Sequence, residues 1–192
     1  MHHERPHTGR RRNEASRQAI LDASLRLLGG SAGAPVTIDA IAKEAGVGKQ
    51  TVYRWWPSKG AVLLDALTER SALQVPTPDS GSVRADLLAV VESTFRGAQS
   101  DSTAPALRTL VREAAHDPHL AELLRTFTAQ RREAVRAVLA RGQQRGELRA
   151  DADLELLVDQ FYGVFWYRFI LGHAPLDDRV AERLTDSILA GS

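Results

Sequence analysis

Between Thr37 and Lys59 the chain reads TIDAIAKEAGVGKQTVYRWWPSK, and its second half, about Gly48–Trp55, is polar and cationic. Side chains of that kind donate hydrogen bonds and carry positive charge, which suits phosphates and acceptor-rich base edges. The apolar residues Ile41, Ala45, Val47 and Val52 are spaced to pack two short helices across a bend. Ala42 leaves room for the crossing, and Gly46 stands at the corner, where φ > 0 is required. This is the pattern of a helix-turn-helix, whose second helix is presented to the major groove of DNA.

Charge agrees with that placement. The chain has a net charge of +1, yet residues 1–70 hold 11 Lys and Arg against 7 Asp and Glu, whereas residues 71–192 hold 14 against 17. All three lysines, Lys43, Lys49 and Lys59, lie inside or beside the helix-turn-helix. A local cationic excess coinciding with a DNA-binding motif predicts a phosphate-facing surface.

The elements that must hold this unit are predicted to be helical throughout, because no segment alternates with period two. A first helix is expected over about Asn13–Leu28, a second over Ile38–Ala45 capped by Thr37, and a third over Gly48–Trp55. Pro57-Ser58 stops the third and caps a fourth from Lys59 to about Ala72. Pro76, Pro78 and Gly81 mark a linker. Beyond it, helices are expected over Ser82–Gly97, Thr103–Ala115, Asp117–Arg145 with a break near Phe127–Gln130, Leu154–Leu171 capped by Asp151 or Asp153, and Asp177–Leu189. The domain organisation that follows is a disordered basic arm (1–12), the DNA-binding domain (13–60), a connecting helix and linker (61–80) and a C-terminal regulatory and dimerisation domain (81–192). The fold class is all-α with about nine helices.

Other chemistries find little support. The chain has no Cys, no G-x-S-x-G, no H-E-x-x-H, no P-loop and no dinucleotide fingerprint, so an enzyme is disfavoured and no cofactor is expected. His116 and His119 lack a third ligand, so no metal is expected. Neither a secretory h-region nor a membrane-length apolar run is present, which predicts a cytoplasmic location with no membrane partner.

A leading helix, then V-x-K-x-T-V-Y-R-W-W-P-S-K, then an all-helical remainder closely resembles the TetR family of bacterial transcriptional regulators. The match is most specific over about residues 13–60. Over 82–190 the resemblance rests on Arg145-Gly146-Glu147-Leu148 and the aromatic helix after it. It implies DNA contacts at Lys49, Gln50, Thr51, Tyr53, Arg54, Trp55 and Lys59. Gln50 suits adenine, Lys49 or Arg54 suits guanine, and Tyr53, Lys59 and Thr37 suit phosphates. Arg10, Arg11 and Arg12 would reach a minor groove or flanking backbone. Two positions depart from the family pattern: Gly48 replaces a small polar residue, and Trp55 stands where His is frequent. Trp55 either lies on DNA or packs in the domain, while Trp56 is expected to lock the third helix onto the first.

The aromatic helix Leu154–Leu171 has two readings. It forms core and dimer interface through Phe161, Phe165 and Phe169, or it lines a small-molecule pocket through Tyr162 and Trp166. The resemblance implies that the last two helices pair in a homodimer, adding Val180, Leu184 and Ile188 to that interface. It leaves Phe95, Leu110, His116, Leu123 and Phe127 for an effector pocket. The function expected is a ligand-responsive repressor that binds a near-palindromic operator as a dimer. The alternatives are a ligand-independent DNA-binding regulator or architectural protein and, less favoured, a small helical enzyme.

Overall fold

A computed structural model of the chain describes residues 8–30, 36–69, 76–101 and 103–191, with the side chains of 8–12, 29 and 30 outside the described set. Among the described residues there are nine helices and no strands: α1 (Thr8–Gly30), α2 (Ile38–Glu44), α3 (Lys49–Trp55), α4 (Lys59–Glu69), α5 (Val83–Gln99), α6 (Thr103–Ala114), α7 (Pro118–Gln144), α8 (Leu154–Leu171) and α9 (Asp178–Ala190). They form two compact units. The first holds α1–α4, α6 and the first turn of α7; the second holds α5, the rest of α7, α8 and α9. The chain therefore crosses the boundary expected near residue 80 more than once, because Asp101–Leu120 returns to the first unit.

Two expected helix limits are corrected. α1 begins at Thr8 rather than Asn13, so the backbone of Arg10–Arg12 continues a helix instead of forming a separate arm. Arginine is a strong helix former, and nothing between Thr8 and Asn13 compels a break. The break expected near Phe127–Gln130 is absent, since α7 runs unbroken through it. Thr126 returns its hydroxyl to the Glu122 carbonyl at 3.1 Å, and the Ala, Gln and Arg residues that follow favour helix. At the start of α8 the cap is Asp153, whose Oδ1 accepts from the amides of Glu155 and Leu156 at 3.1 Å, while Asp151 pairs with Arg149 at 2.7 Å.

The core of the first unit is built from Ile20, Leu21, Ala23 and Leu28 of α1, Ile41 of α2, Val52 of α3, Val62, Leu63 and Leu67 of α4, and Leu107 and Leu110 of α6. On α6 the buried residues Thr103, Ala106, Leu107 and Leu110 follow the i, i+3, i+4, i+7 rule of a single helix face. Gly60 lets the start of α7 approach closely, for a Cβ there would fall 2.3 Å from Leu120 Cδ2.

The second unit buries Leu87, Val90, Val91 and Phe95 of α5, Val135, Val138 and Leu139 of α7, Phe161, Phe165 and Phe169 of α8, and Ala181, Leu184 and Ile188 of α9. Its linker is strapped by polar contacts. Arg141 donates to the Pro78 carbonyl at 2.6 Å, and Glu147 accepts from the Val83 amide at 2.7 Å. The Val83 amide, followed by Arg145, holds the Glu147 carboxyl below its ordinary pKa. Burial opposes the charge on Asp86, but the hydroxyl and amide of Ser80, at 2.6 and 2.9 Å, outweigh it and keep that carboxyl low as well.

Candidate nucleic-acid interface

Local sequence builds the helix-turn-helix in order. Thr37 Oγ1 accepts from the Ala40 amide at 3.1 Å and so starts α2, which buries Ile38, Ile41 and Ala42. Gly46, at φ 66°, turns the chain, and the amide of Val47 closes back on the Ala42 carbonyl at 3.0 Å. α3 then starts at Gly48, whose φ of −74° is ordinary and which supplies no side-chain cap.

Within α3 Val52 faces the core, while Lys49, Gln50, Tyr53, Arg54 and Trp55 are exposed and Thr51 is half-buried. One anchored side and one donor-rich side are what a helix needs to enter a groove. Thr37 is exposed at the start of α2. The side chains of Arg10, Arg11 and Arg12 lie outside the described residues. Trp55 is 37% exposed, and its ring lies 6.2 Å from that of Trp56 between centroids, which leaves part of it open to a partner.

Trp56 is 5% exposed, and its setting contains residues that sequence reasoning missed. Its indole Nε1 donates to Asp65 Oδ2 at 2.9 Å, and Arg17 Nη2 donates to the same oxygen at 2.8 Å. Arg17 also pairs with Glu69, and its guanidinium carbon lies 5.9 Å from the centre of the Trp56 ring. The end of α3 is thus pinned to both α1 and α4. The signal was present: Asp65 is a lone acid in the apolar run AVLLDAL, where an unpartnered carboxylate would be costly.

The two lysines expected at DNA are already paired. Lys49 meets Asp39 of α2 at 3.0 Å, which holds its ammonium above the ordinary lysine pKa. Lys59, the first residue of α4, meets Glu113 of α6 at 2.5 Å, with both side chains about three-quarters buried.

The expected effector residues divide between the two units. Leu110 and His116 belong to the first unit, Leu110 inside its core and His116 exposed, whereas Phe95, Leu123, Phe127, Tyr162 and Trp166 belong to the second. Apart from Tyr162 and Trp166 they come from the helical stretch between about Ser82 and Arg145, and the sequence has no means of telling which unit α6 joins. In the second unit Phe95 stacks on Phe165 at 6.2 Å, and Trp166 meets Phe165 edge-on at 5.1 Å. The Tyr162 hydroxyl donates to the Arg131 carbonyl at 3.1 Å, and burial pushes its pKa up to about 12.

The expected dimer residues lie mostly in the interior of the chain itself. Phe161, Phe165, Phe169, Leu184 and Ile188 are buried within the chain's own second unit, and Val180 is half-buried. α8 is apolar nearly all round, so its aromatic stripe faces inward and a different set is left outside: Leu156 (54% exposed), Gly163, Tyr167 (60%), Ile170 and Leu171 (62%). Among the described residues no cluster of His, Asp and Glu could hold a metal ion, and no helix is long and apolar enough to cross a membrane.

Comparison with known proteins gives consistent matches along the chain. Residues 20–66 match the model of bacterial regulatory proteins of the tetR family, and residues 77–188 match that of the tetracyclin repressor-like C-terminal domain. The HTH-type transcriptional regulator YdeS of Bacillus subtilis is 33% identical over 95% of this chain and 92% of its own length. The DNA-binding transcriptional repressor TetR of Mycobacteroides abscessus is 32% identical over 93% and 94%. Among solved structures, that of the TetR family transcription regulator SCO0332 superposes with a TM-score of 0.77 at 34% identity, covering 92% of this chain and 98% of the other.

Proposed function

The chain belongs to the TetR family of bacterial transcriptional regulators, and from that premise we propose that it is a cytoplasmic, effector-responsive repressor acting as a homodimer on a near-palindromic operator. The observation that carries this reading is the division of α3: Val52 is buried against the core, and Lys49, Gln50, Tyr53, Arg54 and Trp55 stand clear of it. Gln50 and Arg54 read base edges, whereas Tyr53, Thr37 and Lys59 hold phosphates. Selection from a random duplex pool at fixed physiological salt tests this. A two-fold symmetric consensus with half-sites about one helical turn apart is expected, and an asymmetric or unenriched pool argues against it.

The division of labour among these residues has its own outcome. Lys59→Ala weakens binding to every duplex and lowers the salt slope by about one phosphate contact. Gln50→Ala relaxes preference at particular bases, at about 1–3 kcal/mol of discrimination, and leaves the slope unchanged. Equal behaviour of the two variants in salt-titrated binding would overturn the assignment.

The dimer is proposed to form through the outer face of α8. Leu156, Gly163, Tyr167 and Ile170 recur at seven, eleven and fourteen residues from the first, the repeat of a helix–helix seam. A Cβ at Gly163 meets nothing within 4 Å, which leaves room for a partner helix. Large exposed apolar side chains in one stripe are typical of interaction surfaces. Tyr167→Glu together with Leu171→Glu yields a folded monomer by light scattering; an unchanged dimer mass would place the interface elsewhere.

The effector reading rests on Phe95, Phe127, Tyr162 and Trp166 in the second unit. The ring stacking among Phe95, Phe165 and Phe169 favours instead a regulator whose second unit only dimerises. A thermal-shift screen separates the two, since an effector stabilises by mass action.

A further inference from the structure

We propose that Glu113 acts as an internal stand-in for DNA phosphate, competing for Lys59 and so setting the affinity of the first unit for DNA. This rests on the reading of Lys59 as a phosphate contact. The Glu113 carboxylate lies 2.5 Å from the Lys59 ammonium, an anionic oxygen on the same donor that a phosphate would need.

The pair is not a chance meeting of flexible surface chains. Lys59 is fixed at the head of α4, where Ser58 Oγ accepts from the Ala61 amide at 3.2 Å. Glu113 is fixed from its own side. Its carbonyl accepts from the amides of His116 and Asp117 at 2.9 and 3.1 Å, and Asp117 Oδ1 then accepts from His119 and Leu120 at 3.0 and 3.1 Å to start α7. Leu120, fully buried, fills the notch left by Gly60, one residue from Lys59. The corner between α6 and α7 is therefore keyed into the head of α4, and the key delivers the carboxylate to the lysine.

The Lys49–Asp39 pair supplies an internal comparison. Its side chains are 50% and 72% exposed, against 26% and 28% for Lys59 and Glu113. Solvent and salt screen an exposed pair far more than a sheltered one. Competition with phosphate is accordingly stronger at Lys59, and a small displacement of the last turn of α6 from α4 frees that ammonium for DNA.

The test uses the full chain, with anisotropy titrations on a selected operator and on an unrelated duplex from about 50 to 200 mM salt. Glu113→Gln and Glu113→Ala each tighten both duplexes by about three- to tenfold at the low-salt end, a gain that shrinks as salt rises. Asp39→Asn changes affinity by less than about twofold. In a Lys59→Ala background the Glu113 substitutions have no effect. Unchanged or weaker binding by the Glu113 variants, with wild-type binding intact, overturns the proposal. So does a gain that survives in the Lys59→Ala background, which would be a general charge effect. If Lys59→Ala binds like wild type, or wild type binds no duplex, it is the reading of Lys59 that fails, and the competition fails with it. The two substitutions differ in shape, and thermal melting identifies which is folded, so one suffices.

Discussion

Trp56→Ala is expected to cost about 3–5 kcal/mol of stability and to abolish operator binding, although Trp56 turns away from the exposed face of α3. The side chain is nearly fully buried, and its loss leaves a cavity beside Asp65 of α4 and Arg17 of α1. It also leaves Asp65 with one donor fewer and removes the ring over which Arg17 lies. Trp56→Phe refills most of the volume without the indole N–H, so its cost falls to about 1–3 kcal/mol, the penalty for losing one hydrogen bond to a charged group. Denaturant unfolding together with operator titration checks both. A Trp56→Ala protein with normal stability would mean that α3 is held by Val52 alone.

The second large effect is expected at Gly142, within α7. Alanine in a helix interior ordinarily gains about 1 kcal/mol over glycine. Here the new Cβ would lie 2.5 Å from Val83 Cγ2 and 2.6 Å from Val83 Cβ. Val83 cannot swing aside freely, because its Cβ sits on backbone whose amide is held by Glu147. Gly142→Ala therefore reverses the usual sign and destabilises by about 1–3 kcal/mol, the range for overpacking. Calorimetry should show a drop of about 2–4 °C per kcal/mol in Tm for a chain of this size. A raised Tm would show that α5 and α7 separate at little cost.

The DNA-binding half was largely legible in the sequence because its instructions are local. Thr37, Gly46, Pro57 and Ser58 act on neighbours within four residues, and the resemblance carried by VYRWWPSK rests on the same short stretch. What escaped reading depends on partners far along the chain. Lys59 finds Glu113 after more than fifty residues, Arg17 finds Asp65 at a separation of 48, and α6 joins the first unit across the whole of α5. α8 shows a different limit. Phe161, Phe165 and Phe169 form a stripe, but Leu156, Tyr167, Ile170 and Leu171 supply a second one, and composition alone does not say which of two apolar faces turns inward. The unbroken course of α7 through Phe127–Gln130 has a local basis instead, since the Ala, Gln and Arg residues there favour helix.

The grip on Trp56 has a consequence for how such a chain diversifies. The residues that set the pose of α3, namely Val52, Trp56, Asp65 and Arg17, share no member with those it exposes at Gln50, Tyr53, Arg54 and Trp55. Mutations in the second group carry little folding penalty, so a lineage can drift between operators, or be retargeted by saturating those four codons, without passing through unfolded intermediates. Asp65 is then the position where a neutral-looking change would close that route, because one carboxylate oxygen serves every operator the helix learns to read.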